Sequence, residues 1–539
     1  MANNYKKKSN NKTSNRRSRS NANNRSNRSD RGEDQVENSK IGVSNQRPNI
    51  LSGKQVNNDP QWYNHIYNNT INVGNLPFNI PVGTKFNILR EDAQYTSSET
   101  ATQIPGIMTI SLIPTIGPAQ TAVDPVNIAA QQIYTLTRKA NSGAINYDKT
   151  DLMMTILAMD SAYMLYEILL RAYRTIGSYN YMNRYLPDTL MNAQGFSVDL
   201  YQSMADFRAL LDLFAYRLAS INIPDQFDFI SRHSWLFSNI YKDAPTDKGQ
   251  LYAFIPEGVY MWSEGNEGTK THLEFVSFMT LFDTSAHGGL VRDLSQVAHA
   301  IDMIMNPILG SQDVATISGD IAKAFGENGV IKITPIEDYA YLEPVYDMEV
   351  ITQMANLNMI DHYSGIGSIE QELSSTVNGP YLTQTIMANP TPQPFSPRQR
   401  NALLNFHKED VTSDDIMVAT RLVAFANESE MLTYGTELVN NIAIYYSPTE
   451  TNKVYRYSIV QDYGFTNTNV NFARDITMWS AFDNAPTLYL YDLSETSGAI
   501  DKFVGFVQDV DNYTILSVEE ATNLNNVAVM SLFAAKDFN

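Results

Sequence analysis

Between Asp148 and Gly177 the chain carries an apolar helix that the rest of the protein must enclose. Asp148 has an N-cap side chain, Asp151 adds negative charge to the first turn, and Gly177 offers a left-handed exit. Leu152, Met153, Ile156, Leu157, Met164, Leu165, Ile168, Leu169 and Leu170 cover nearly every side of the cylinder. A bilayer is the other medium that would enclose such a helix, but Asp160 and Glu167 cut the apolar run below the length a hydrocarbon core requires. The spacing therefore predicts a buried core helix. A second helix is predicted over 197–221, where Leu200, Met204, Phe207, Leu211, Phe214 and Leu218 alternate in steps of four and three and form one packing seam. A pair of this size is scaffold, and function has to be sought in what hangs from it.

A chain of 539 residues can build a large core in two to four structural units. It contains no cysteine, which excludes disulfides and thiolate metal sites. Residues 1–51 are polar and lack the apolar stretch of a secretory signal, so synthesis and residence in the cytosol are expected. The net charge of −19 hides a polarised distribution. Residues 1–29 hold nine Lys and Arg and no acid, leaving 30 basic against 58 acidic residues in 30–539, a balance of −28. Residues 1–47 have almost nothing to bury and are expected to be a disordered arm. Lys6, Lys7, Lys8, Lys12, Arg16, Arg17, Arg19, Arg25 and Arg28 lie along it, a track suited to a phosphate backbone and not to reading bases, since only Tyr5 is available to stack. A solubilising tail or localisation signal is the plainer reading; the contrast with an acidic body favours nucleic acid.

Packing begins near 57, where Trp62, Tyr63, Ile71 and Leu76 appear among prolines, and Asp59 to Tyr63 reads as a packed entry into the fold. A β-leaning run follows over 104–116, then a helix opened by Pro125 and ending near Ala140. Helices are also predicted from 224 to about 235, over 289–305 with Pro307 as the stop, over 311–325, and from Pro397 through Leu403, Leu404 and Phe406. Residues 389–397 hold four prolines and read as a stiff connector. Strands at 454–460, 487–493, 503–507 and 512–516 predict a small antiparallel sheet, and the Ser517/Glu520 capping box opens a last helix. The fold class is mainly α with this β region (α+β), in four parts: a basic arm at 1–47, a helical region at 48–242, an insert at 243–397, and a C-terminal helix plus β region at 398–539.

Motifs of chemistry are sparse. Seven histidines are scattered without metal-ligand spacing, and His299 and Asp302 share a helix face as an ordinary surface pair. Gly365 and Gly367 lack a Walker lysine or a Rossmann acid and read as a turn; no Gly-x-Ser-x-Gly elbow occurs. Neither catalytic residue, cofactor, metal, small-molecule substrate nor integral membrane association is expected. An RNA-tethered cytosolic hydrolase and an RNA-binding nucleoprotein are the alternatives; the missing motifs oppose the first and the acidic body opposes the second.

The chain resembles the capsid proteins of picobirnaviruses. The likeness is carried by Asn58, Asp59, Pro60, Trp62 and Tyr63, by Pro105 to Met108, and by Pro125, Val126, Asn127, Ala129 and Ala130. It continues through Ala140 to Gly143, Asn146 to Asp148, Ala158 to Ser161, Asn183 to Pro187, Ala205 to Arg208, and Arg232, His233 and Trp235. The resemblance covers about 57–248. It implies a mostly helical shell subunit that dimerises by exchanging elements, dimers closing an icosahedral shell with two chains per asymmetric unit, and an N-terminal arm facing packaged double-stranded RNA. It places the protein in the virion, assembled in host cytoplasm; the weaker patterning of 243–397 makes that stretch the expected protruding region. Some members remove their own N-terminal segment, which here would make Asn45, Asn49, Asn57, Asn58 and Asn64 the candidates for single-turnover self-cleavage.

Overall fold

The computed structural model describes residues 60–77, 85–87, 101–103 and 106–536, apart from 144–145, 179–184, 247–248, 266–269, 286–287, 338–339, 360–362, 374–378, 389–400, 428–429, 447–453, 460, 466–469 and 493–501. The basic arm and the proline-rich connector lie outside the described residues. The chain forms two compact units, one ending at Ile80 and one spanning Pro81–Asn539.

In the larger unit the predicted core helix runs Lys149–Gly177. The Asp151 carboxylate accepts the Asp148 backbone N–H at 2.9 Å, which fixes the first turn. The helix is long and apolar enough to cross a membrane by length and composition, yet 94% of its most apolar window is buried inside the protein. Its cover comes from the helices Pro125–Ala140, Met204–Ala219, Asp228–Ser238, Leu294–Gly310 and Gln312–Phe325, with the strand Gly258–Ser263. The predicted seam is in place: Phe207, Leu211, Phe214 and Leu218 are buried, and Tyr166 and Tyr173 of the central helix meet Phe214 and Phe207 edge-on at 5.7 and 5.8 Å. Each such side chain contributes on the order of 1.5–3 kcal/mol by leaving water. Gly177 is needed for another reason than the one its position suggests. It keeps helical geometry, and a Cβ there would lie 2.8 Å from the Ala340 carbonyl oxygen, so the glycine permits close backbone approach.

A five-stranded sheet forms the second layer, in the order Tyr455–Ile459, Glu437–Tyr446, Ile107–Pro114, Leu251–Pro256, Tyr241–Lys242. Ile107–Pro114 is almost wholly buried, as a central strand covered on both faces must be, and this explains its continuous apolar run. It pairs antiparallel with Glu437–Tyr446 (Ile110 opposite Ile442) and parallel with Leu251–Pro256 (Ile110 opposite Phe254). The expected boundary at 243 is therefore no break in packing, because Tyr241–Lys242 pairs with Leu251–Pro256 across it.

Other expectations need correction. Strand Asn401–Phe406 replaces the helix expected from Pro397; its buried apolar residues Ala402, Leu404 and Phe406 lie two apart, on one face, Asn405 between them is buried too and bonded to Asn356, and the strand pairs with Asn512–Ser517. Helix Leu294–Gly310 runs through Pro307, which sits near enough to the end that one lost hydrogen bond does not stop it, and Ser311 then caps Gln312–Phe325. The C-terminal strands exist but do not form one sheet. Tyr455–Ile459 joins the five-stranded sheet, Leu488–Asp492 and Lys502–Val507 join Asp462–Phe465, which runs parallel to the former, and Asn512–Ser517 joins Asn401–Phe406. The Ser517/Glu520 box opens Val518–Leu532 as predicted. Helices and strands alternate along the chain, so the class is α+β with more β structure than the sequence indicated.

Candidate assembly surfaces and a buried charge cluster

Every histidine on the chain looks isolated in sequence; in the fold His233 is not. Its Nδ1 lies 2.7 Å from Asp160 Oδ2 on the central helix, and its Nε2 lies 3.2 Å from Glu437 Oε1 on the central sheet. Arg232 clamps Glu437 with two donors, Nε at 2.8 Å and Nη2 at 3.0 Å, and the Thr436 hydroxyl donates to the same carboxylate at 2.8 Å. The four charges sum to zero and are sealed from solvent, with side-chain exposures between 1% and 13%. Burial alone would lower the His233 pKa, but the Asp160 charge, its hydrogen bond and Glu437 outweigh it and raise the imidazole to about 10. Burial opposes ionisation of Glu437 too, yet Arg232 and His233 hold it well below the usual carboxylate range. Burial pushes Asp160 upward against the pull of His233, and its Oδ1 has no partner. The cluster ties central helix, histidine-bearing helix and sheet at one point. Neutral in sum and joining three elements, it acts as a structural rivet.

No group of three or more His, Asp or Glu suited to a metal occurs among the described residues. Asp302 pairs with Arg217 at 2.7 Å and not with His299. Gly365 lies in the strand Tyr363–Ile366, and Gly367 packs against the Thr385 backbone. The nine cationic arm residues, Lys6 to Arg28, lie outside the described residues.

What the described residues offer as working surface is apolar. In the smaller unit the helix Tyr67–Gly74 buries none of its residues. Trp62 and Tyr63, expected to be packed, are exposed, together with Ile66, Tyr67, Ile71, Val73 and Leu76. In the larger unit Leu213 and Tyr216 project from the outer face of Met204–Ala219, and Tyr513 and Ile515 project from one side of Asn512–Ser517. Several apolar faces left open on one chain are the signature of a subunit whose burial is completed by other chains.

The fold is that of a virus shell protein: the chain superposes on a solved structure titled "X-ray crystallographic structure of the picobirnavirus capsid" with a TM-score of 0.73, at 22% identity, over 89% of this chain and 99% of that one. The family profile described as Picobirnavirus, Capsid protein matches residues 62–529, and the chain belongs to that family. It is 27% identical over 522 residues to the capsid protein precursor of human picobirnavirus (strain Human/Thailand/Hy005102/-), covering 88% of this chain and 90% of the relative. It is accordingly a structural protein of the virion, and the resemblance read from residues 57–248 extends through the C-terminal region.

Proposed function

We propose that this capsid protein builds its shell from dimers that exchange an element, that the dimers close an icosahedron around segmented double-stranded RNA in the host cytoplasm, and that the arm touches RNA without sequence preference. The observation that supports the reading is the segment 60–77, whose helix Tyr67–Gly74 buries no residue and which exposes Trp62, Tyr63, Ile66, Tyr67, Ile71, Val73 and Leu76. Such a helix is stable only when another surface covers it, and a second copy is the surface always present during assembly. Within residues 243–397 the protruding part is proposed to come from what lies outside the sheet strand Leu251–Pro256 and the elements that cover the central helix, Gly258–Ser263, Leu294–Gly310 and Gln312–Phe325.

Sedimentation of the full chain tests the exchange: dimers or larger species are expected, and Ile71→Asp is expected to shift them to monomer. An unshifted Ile71→Asp chain contradicts it. The arm accounts for RNA attraction by charge, each neutralised phosphate adding about 0.9 to the slope of log affinity against log salt. Full-length chain should show a steep slope and a chain lacking 1–29 a shallow one; equal slopes contradict the arm's role. Self-cleavage, if it occurs, falls at Asn45, Asn49, Asn57, Asn58 or Asn64; of these Asn64 is described, half-buried at the end of the turn Pro60–Tyr63 and followed by His65. An intact mass of assembled protein that retains residues 1–64 removes this step.

A further inference from the structure

Between Leu152 and Tyr173 the central helix is buried at every residue but one, Glu167. A groove of about 720 Å³ reaches the helix there, floored by Tyr163, Tyr166, Glu167 and Arg174, with Ser234 and Trp235 of the neighbouring helix on one side and the extended segment from Ile331 to Glu337 on the other. The floor residues stand at spacings that place them on one helix face. Ser234 Oγ donates to Glu167 Oε1 at 3.0 Å, and the second carboxylate oxygen accepts no hydrogen bond from the described residues. Arg174 forms no ion pair with Glu167 within 4 Å, and Asp225, Lys332 and Glu337, which complete the charged lining, form none either among the described residues. A partly buried carboxylate with no cation paired to it is costly even with Arg171 and Arg174 nearby, and an apolar residue here would continue the packing of its neighbours. Burial raises its pKa, with Ser234, Arg174 and Arg171 opposing.

We propose that this groove is a binding site for an organic ammonium ion, with the ammonium group on Glu167 and the carbon chain running along the Ile331–Glu337 wall toward the rim. Three features fit that class together. The floor anion supplies a charge-assisted acceptor, the tyrosine rings and the half-exposed Trp235 supply aromatic surface to a cation, and the acids outnumber the bases in the lining by Glu167, Asp225 and Glu337 to Arg174 and Lys332. An inorganic divalent ion fits less well, because no three carboxylates converge. The proposal concerns the single subunit and stands apart from the assembly reading.

Calorimetric titration of full-length protein with spermidine tests it, with Mg²⁺ as a control for bulk counterion attraction. One saturable site per chain is expected for spermidine, weakened at least about tenfold in Glu167→Gln, the size of one charge-assisted hydrogen bond. That substitution alters a net charge of −19 by one, so non-specific attraction would barely change. Trp235→Phe, which trims the aromatic wall and gives up the hydrogen bond that Trp235 Nε1 donates to Asp347 Oδ2 at 2.9 Å, should weaken binding less, and circular dichroism of both variants should match the parent. Absence of a saturable site, equal affinity in Glu167→Gln, or displacement by Mg²⁺ at charge-equivalent concentration overturns the proposal.

Discussion

Asp160 and Glu167 lie two turns apart on one buried helix, and the molecule treats them in opposite ways. Asp160 is answered by His233, which is in turn answered by Glu437 and Arg232, so charge is neutralised inside the core and three elements are joined. Glu167 receives one serine hydroxyl, has Arg171 and Arg174 near enough to favour its charge but not paired with it, and faces a groove. A core acid paired with a buried cation ties elements of the scaffold together; one without such a pair is a candidate for a role outside the scaffold.

The comparison breaks most easily at His233. His233→Ala strands Asp160 without its cation and should cost about 3–5 kcal/mol in denaturant unfolding; a loss below 1 kcal/mol would reduce the cluster to ornament. Next comes pH. Because the folded imidazole sits near 10 against an ordinary 6.5, its stabilising contribution is complete below about 6.5, erodes as pH rises and is gone above about 10. Urea midpoints of the parent should fall across that range, and those of His233→Ala should fall less. Glu167 shifts in the same direction for a different reason, burial of its carboxyl, and in a lower pH range. Its raised pKa means the fold holds the proton more tightly than the unfolded chain does, so stability falls as pH rises through the carboxylate range. Glu167→Gln should remove that slope and leave the protein as stable as the parent or up to about 1 kcal/mol more so at neutral pH; a loss like that of His233→Ala would make the two acids equivalent and erase the distinction. The smallest effect on the subunit is expected at the open apolar faces. Tyr216→Asp, at a residue 79% exposed, should change unfolding by less than about 0.5 kcal/mol while lowering particle yield in sedimentation.

Helices were legible wherever one apolar face repeats locally: Pro125–Ala140, Lys149–Gly177, Gln312–Phe325 and Val518–Leu532 all appear within a residue or two of the expected places. Sheet partners were not, since the central strand Ile107–Pro114 finds one partner at Leu251–Pro256 and the other at Glu437–Tyr446, and no local pattern encodes a pairing across such distance. Asn401–Phe406 was misread because its adjacent Leu403 and Leu404 mimic a helical step, while its buried apolar residues, Ala402, Leu404 and Phe406, stand two apart. The charge cluster was hidden for the same reason as the sheet: Asp160 and His233 stand 73 positions apart, and Arg232 and Glu437 stand 205. One signal did exist, an acid in the middle of an otherwise apolar helix, which requires a buried partner or a use.

Electron microscopy of the purified full-length chain, expressed alone, tests the central claim most directly. Closed particles of uniform diameter are the expected result, copies of the same chain being the proposed cover for the subunit's open faces. Dispersed single chains at high concentration, or open filaments, would contradict it.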